Sequence, residues 1–417
     1  MRLRKTLFAL FLATVLLPLS APGETVRPRP DESLQQAVAR AAEGDTVVVP
    51  PGTHQVDTLR LTKPIILEGN GDAVLDGGGS GDVIRVTSRN VTIRGLEIRD
   101  SGMNLTDMNA GIFVEQQATG CHIAHNFIDN TAWGVWVDGA KAVVIRGNRI
   151  HGNTDVVSPN RGNGVQLWNV SGALLSHNEI WETRDGVYIE VSHGANIIHG
   201  NHFHHLRYGV HYMHSNRNEV TGNRTNDNRA GYALMFSDNL EIHHNRSAGD
   251  EDYGFLLNYL RYSEVHHNRV EPSPEKCIFI FNSQYNQFHH NWLEGCFFGV
   301  HLTAGSNHNE LYANAFLHSR DQVKYVGNRE QEWSKDGQGN FWSDYMGWDR
   351  DGDGIGDIPY RPNDLVDKLD WKYPLVRVLM NSPAVQTLRW VQRQFPVFRD
   401  PGVTDSHPLM SPEGVAP

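Results

Sequence analysis

Four aspartates, Asp349, Asp351, Asp353 and Asp357, occupy positions 1, 3, 5 and 9 of the run DRDGDGIGD, with Gly354 at position 6. That spacing sets hard carboxylate oxygens around one cation, Ca2+, with glycine making the sharp turn and Ile355 offering a backbone carbonyl. Position 12 holds Tyr360 where calcium loops carry a bidentate Glu, so the ligand set closes only if Asn363 or Asp364 turns in. The competing reading is a solvated Asp-Gly turn cluster. A second set is softer. Met213 and Met235 stand 22 positions apart, with His211 and His214 beside the first. Thioethers with imidazoles suit Cu(I), provided the chain folds so that positions 22 apart become neighbours. An adaptable Met strip serves equally as a protein-docking surface.

Histidine pairs recur at steps of 23: His243-His244, His266-His267 and His289-His290. His125, His177 and His199 extend parts of these rows. Stacked imidazoles can hold transition metals, but a repeating chain also produces such rows by repetition alone. The loop from Met103 to Met108 carries two further thioethers. Catalytic machinery is not evident. Asp138, Asp185 and Glu190 are scattered carboxylates, and there is no nucleophile elbow, phosphate loop or cysteine zinc motif. Cys121, Cys277 and Cys296 fall at different repeat phases, so buried thiols without a disulfide framework are expected.

The element that must position these residues is a repeat. A glycine series runs Gly111, Gly134, Gly164, Gly186, Gly209, Gly231, Gly254, Cys277, Gly299, and an asparagine series runs Asn126, Asn148, Asn178, Asn201, Asn223, Asn245, Asn268, Asn291, Asn314. Most steps are 22 or 23, and the longer step after Gly134 carries an inserted loop near Gly152 to Asn163. Between them, short apolar alternations such as Val187/Ile189 and Phe255/Leu257 read as strands. One such coil cannot bury its apolar face, whereas stacked coils can. The spacing predicts an all-β solenoid, a right-handed parallel β-helix of about 22–23 residues per coil, with asparagine amides stacked in a turn and glycines at bends that need a small residue or unusual φ. In this frame His211, Met213 and Met235 point outward. Trp136, Trp168 and Tyr188 are outward aromatics on consecutive coils.

Flanking segments differ. Residues 1–23 read as a signal peptide: Arg2, Arg4 and Lys5, an apolar run from Leu7 to Leu17, then small residues. The helix proper is expected over 24–325, with a capping helix over Asp31 to Ala42. A closing segment over 326–375 holds the Asp-rich loop. A tail over 376–417, with a helix from Ser382 to about Phe395, is expected to dock on a partner. Losing three basic residues with the leader takes Lys and Arg from 37 to 34 against 48 Asp and Glu, a net charge of about −14. That excludes a nucleic-acid role, which needs a basic face.

Two C-terminal phrases, GNFWSDYMGWDRDGDGIGDIPY from Gly339 to Tyr360 and PVFRDPGVTDSHPLM from Pro396 to Met410, follow these Asn/Gly coils. Together they resemble the NosD family, the periplasmic β-helix component of an ABC complex, NosDFY, that takes part in assembling the copper centres of nitrous oxide reductase. The resemblance spans nearly the whole mature chain. It implies a periplasmic accessory protein, not itself an enzyme, that handles Cu(I) transiently in the service of denitrification. The partners it implies are ABC permease and ATPase subunits, a copper chaperone and the apo nitrous oxide reductase, with the membrane reached only through the permease. The rival expectation from the fold alone is a carbohydrate-binding or polysaccharide-modifying β-helix, with Trp136, Trp168 and Tyr188 stacking on sugar rings.

Overall fold

The computed structural model describes residues 23–272, 275–363, 382–394 and 402–415, with a few positions between 366 and 379. Of the segment 1–23 read as a signal peptide, residues 1–22 lie outside the described residues, as does Asp364. The chain winds as a parallel β-solenoid of about 14 turns. Every coil supplies three short strands. In one coil these are Glu219–Thr221, Arg224–Asn226 and Ala230–Met235. Each strand pairs in parallel with its equivalents one coil away, giving three sheets of 13, 13 and 12 strands, here sheets 1, 2 and 3 in that order along a coil.

Three-residue strands have no stability of their own, so the column is the unit that folds. The central residue of each sheet 1 strand points inward. Ile198, Val220, Ile242, Val265 and Phe288 stack in direct register and are 0 to 1% exposed. Each such side chain contributes about 1.5–3 kcal/mol by leaving water. Between sheets 1 and 2 the chain turns at the repeat asparagine. Its amide Nδ2 donates to Oδ1 of the next asparagine at 2.9–3.0 Å, without a break from Asn126 to Asn340. The same oxygen also accepts the backbone N–H of the preceding asparagine, so a buried turn is satisfied.

The repeat glycines sit elsewhere than expected. They lie in the sheet 3 strands, or one residue before the strand in the case of Gly164, and none of them is among the residues with positive φ. A Cβ on Gly134 would stand 2.4 Å from the Gly164 carbonyl oxygen and 2.6 Å from Ile150. Close approach of neighbouring coils, not a bend, excludes a side chain there. This also corrects the reading of the cysteines. Cys277 takes the glycine position, so its Cβ points at the corner where the next coil places Cys296, and the two form a disulfide with Cα atoms 5.7 Å apart. Cys121 remains a free buried thiol whose burial pushes its pKa up to about 11.

Both ends are covered. At the N-terminal end, helix α1 (Leu34–Arg40) opens on a Ser33 capping box and buries Leu34, Ala37 and Val38 against the first coil. At the other end, Asp405 terminates the asparagine ladder. Its Oδ2 accepts from the Asn340 backbone N–H at 2.7 Å and from Trp342 Nε1 at 2.8 Å. Residues around Val403 thus return to the solenoid, within the stretch expected only to dock on a partner. Helix α2 (Pro383–Gln394) leaves Trp390 exposed.

Candidate metal centre

The outer face of sheet 3 carries the soft set. Met213 and Met235 end adjacent strands, Tyr208–Met213 and Ala230–Met235, and are paired in direct register. Both are half-buried, and parallel strands lie about 4.8 Å apart, so the two thioethers can converge on one ion. Glu190 precedes them in this column and Asn258 follows. The strand ends are held by a serine ladder. Ser215 and Ser237 hydroxyls donate to the Met213 and Met235 carbonyls at 3.0 and 2.8 Å, and Ser237 Oγ accepts the Ser215 N–H. His214 is exposed in a left-handed turn and lies 5.1 Å from Phe236, which stacks in turn on Tyr259.

His211 is placed differently from its expected open position. It lies on the outer face of the same strand as Met213 but is only 6% exposed, covered by the rings of Tyr188 and Tyr208. Its Nδ1–H donates to Asp185 Oδ2 at 2.9 Å, and Arg207 pairs with both Asp185 oxygens. Burial pushes the Asp185 carboxyl up, but the hydrogen bonds from His211 and Arg207 outweigh it and hold its pKa below the ordinary value. With Nδ1 protonated, Nε2 is bare, buried and without a hydrogen-bond partner. A carboxylate behind an imidazole with its other nitrogen bare is the arrangement that orients histidine as a metal ligand. Asp185 is isolated in sequence from its partners; only the stacking of its coil on that of Arg207 and His211 makes a cluster. Asp185 is 1% exposed and fully committed to these partners. Of the outward aromatics, Trp136 and Tyr188 share one column with Gln166 between them, and Trp168 stands in the next, paired with Asp138 and Glu190.

The remaining candidates resolve as separate places. Met103 and Met108 are exposed on a loop before the strand Ala110–Val114, four coils or about 19 Å from Met213, too far to share an ion with it. Asp349, Asp351 and Asp353 bring carboxylate oxygens within 4.8 Å of one another. Backbone N–H groups of Gly354 and Gly352 donate to Asp349 and lower its pKa. Asp357 Oδ2 instead accepts the Arg350 N–H at 2.9 Å, and Asn363 donates to the Val323 carbonyl rather than turning into the loop. His243, His266 and His289 stack on successive coils, each beside a second histidine. One group escaped sequence reading: Glu179, His202 and His204, on adjacent sheet 2 strands, with ligand atoms within 4.8 Å of one another. Their fixed offset from Asn178 and Asn201 was the signal available.

Similarity to known proteins agrees with this architecture. The chain is 45% identical over 363 residues to "Probable ABC transporter binding protein NosD" of Pseudomonas aeruginosa, covering 84% of this chain and 85% of that one. The chain belongs to the NosD family. The NosD protein of Stutzerimonas stutzeri, under the same description, is 44% identical over 376 residues, 87% of this chain and 86% of that one. The family model described as "Periplasmic copper-binding protein (NosD)" matches residues 148–347, a span that holds Met213, Met235 and all three histidine pairs but ends before Asp349. Among solved structures, the mannuronan C-5 epimerase AlgE6 A-module of Azotobacter vinelandii aligns with TM-score 0.56 at 15% identity, over 75% of this chain and 96% of that one. The catalytic domain of a GH87 alpha-1,3-glucanase aligns with TM-score 0.53 at 10% identity, over 73% and 66%. At such identity these share the fold with the NosD chain and nothing more. No helix among the described residues is long and apolar enough to cross a membrane.

Proposed function

We propose that this protein is a periplasmic scaffold that receives copper as Cu(I) and presents it for assembly of the copper centres of nitrous oxide reductase, working with an ABC transporter. The observation that carries the reading is the direct register of Met213 and Met235 on one half-buried face. The unpartnered Nε2 of His211 on the same strand supports it. Two thioethers and an imidazole form a ligand set for a soft monovalent ion, and that set has no use in sugar chemistry. The partners in this reading are the permease and ATPase subunits, a copper chaperone as donor and the apo reductase as acceptor; the leader delivers the chain to the periplasm. The tail from Ser382, with Trp390 exposed on α2, is the segment assigned to the permease. Ca2+ at Asp349, Asp351 and Asp353 is assigned a structural role. The test is anaerobic Cu(I) titration of wild type against Met213→Ala with Met235→Ala. Loss of a tight equivalent in the double variant supports the site, and identical isotherms overturn it.

A further inference from the structure

From Asn126 to Asn314 the residue before each ladder asparagine adopts left-handed backbone: His125, Gly147, His177, Gly200, Gly222, His244, His267, His290 and Ala313 all have φ between 50° and 64°. Glycine meets that geometry at no steric cost, and three coils use it, whereas an L side chain there is strained. Three successive coils nonetheless carry histidine, and each is preceded by a second histidine. Two columns of imidazoles result. His243, His266 and His289 stack with centroids 5.0 Å apart; His244, His267 and His290 stack at 5.1 and 4.9 Å, with planes within 8° of parallel. Across the columns, paired Nδ1 atoms lie 2.8, 2.8 and 2.9 Å apart.

The tautomers follow from the partners. Glu219 and Glu264 carboxylates accept from Nε2 of His243 and His289 at 3.1 and 2.8 Å, so those rings carry their proton on Nε2. Their Nδ1 atoms are then bare and accept from the Nδ1–H of the adjoining histidine. A carboxylate on one ring nitrogen with the other nitrogen aimed at a shared point is how proteins orient imidazole toward a metal. The bite agrees. Zinc–nitrogen bonds of about 2.0–2.1 Å put two ligands at right angles about 2.9 Å apart, and tetrahedral ones about 3.3 Å apart. Linear two-coordinate Cu(I), with bonds of similar length, would need about 4 Å. The ligand nitrogens of His266, His267 and His289 lie within 4.8 Å of one another, so an ion seated between His266 and His267 takes His289 as a third ligand once that ring tilts inward by about 1.5 Å.

We propose that the paired histidine columns are a binding site for a divalent borderline cation of the Zn(II) class, centred on His266, His267 and His289, with Glu264 orienting His289. The ion takes the place of the proton shared between the rings, and water completes its coordination. His243 and His244 offer equivalent nitrogens on the flanking coil, and His290 does so beside His289. This site is distinct from the thioether pair and does not depend on the Cu(I) reading.

The test is calorimetric titration of the chelator-treated full chain with Zn(II), done in the Met213→Ala, Met235→Ala background so that failure here and failure of the thioether site stay separate. The variant is His244→Gly with His267→Gly and His290→Gly, which restores the residue other coils use at this turn. The expected result is loss of one Zn(II) equivalent that the parent takes up, with the β-sheet circular dichroism unchanged. Glu264→Gln should weaken the same equivalent about tenfold. Should the triple variant lose its fold, His267→Asn, tolerated in left-handed backbone, repeats the measurement. Equal isotherms for parent and variants, or no Zn(II) uptake by the parent, overturn the proposal.

Discussion

Asn223→Ala should destabilise the solenoid far more than the loss of one neutral hydrogen bond would. Asn223 is 1% exposed. Its Oδ1 accepts from the backbone N–H and the Nδ2 of Asn201 at 3.0 and 2.9 Å, and its own Nδ2 donates to the Ile198 carbonyl at 2.7 Å and to Asn245 Oδ1 at 3.0 Å. Three of the affected groups keep a partner after truncation. Asn201 Nδ2 still reaches the Leu175 carbonyl, Asn245 Oδ1 still accepts the residue 223 N–H, and the Thr221 carbonyl still accepts from Gly200. A fourth, the Ile198 carbonyl, loses the amide but stays in the parallel ladder between its strand and that of Val220, so the Asn201 backbone N–H is the group left without its partner. At about 1–3 kcal/mol for one buried unsatisfied group, plus the weakened ladder and a small cavity, the cost is about 3 kcal/mol. Asn223→Asp separates the two halves of the argument, because it keeps the acceptor and loses the donor. At neutral pH the carboxylate would face Asn245 Oδ1 and the Ile198 carbonyl. Its folded pKa would be raised, so this variant should gain stability as pH falls toward that value, unlike Asn223→Ala. Urea unfolding followed by circular dichroism and tryptophan fluorescence gives the measurement, with both probes compared because long repeat arrays can unfold in parts. A loss below about 1 kcal/mol for Asn223→Ala would refute the claim that the ladder is an obligatory buried network rather than a by-product of repetition.

Two further outcomes follow from the same structure. The Cys277–Cys296 bridge closes a separation of 19 residues, so Cys277→Ser with Cys296→Ser should lower stability by about 3 kcal/mol on the chain-entropy scale; unaltered urea unfolding in the double variant would count against it. Adding Ca2+ to chelator-treated protein should raise Tm in wild type and not in Asp351→Asn with Asp353→Asn, because the cation relieves repulsion among carboxylates held within 4.8 Å; identical curves in both proteins would remove the calcium assignment.

Much of the fold was legible in the chain because a solenoid converts sequence interval into spatial contact. Steps of 22 and 23 between Asn201, Asn223, Asn245 and Asn268 state which residues lie over one another, and the ladder is found where those steps placed it. The register of Met213 with Met235 and the stacking of His243 on His266 followed from the same arithmetic. A helix capping the first coil was legible over Asp31 to Ala42, and the structure narrows it to Leu34–Arg40 behind the Ser33 cap.

What the interval could not supply is the shape of the space between columns. The repeat glycines looked like bend residues, yet they answer to a carbonyl of the next coil lying 2.4–2.9 Å from where a Cβ would stand. That inward direction, unknowable from phase alone, is also what joins Cys277 to Cys296. Likewise His211 belongs to an outward row, but two tyrosine rings cover it and Asp185 fixes its tautomer. By itself the sequence determined which residues form columns, because backbone pairing between coils transmits register along the axis. Only the tertiary structure decided which columns are covered, which nitrogens remain bare and which side chains meet across corners, because those depend on side-chain volume and direction in three dimensions, which a one-dimensional period does not contain.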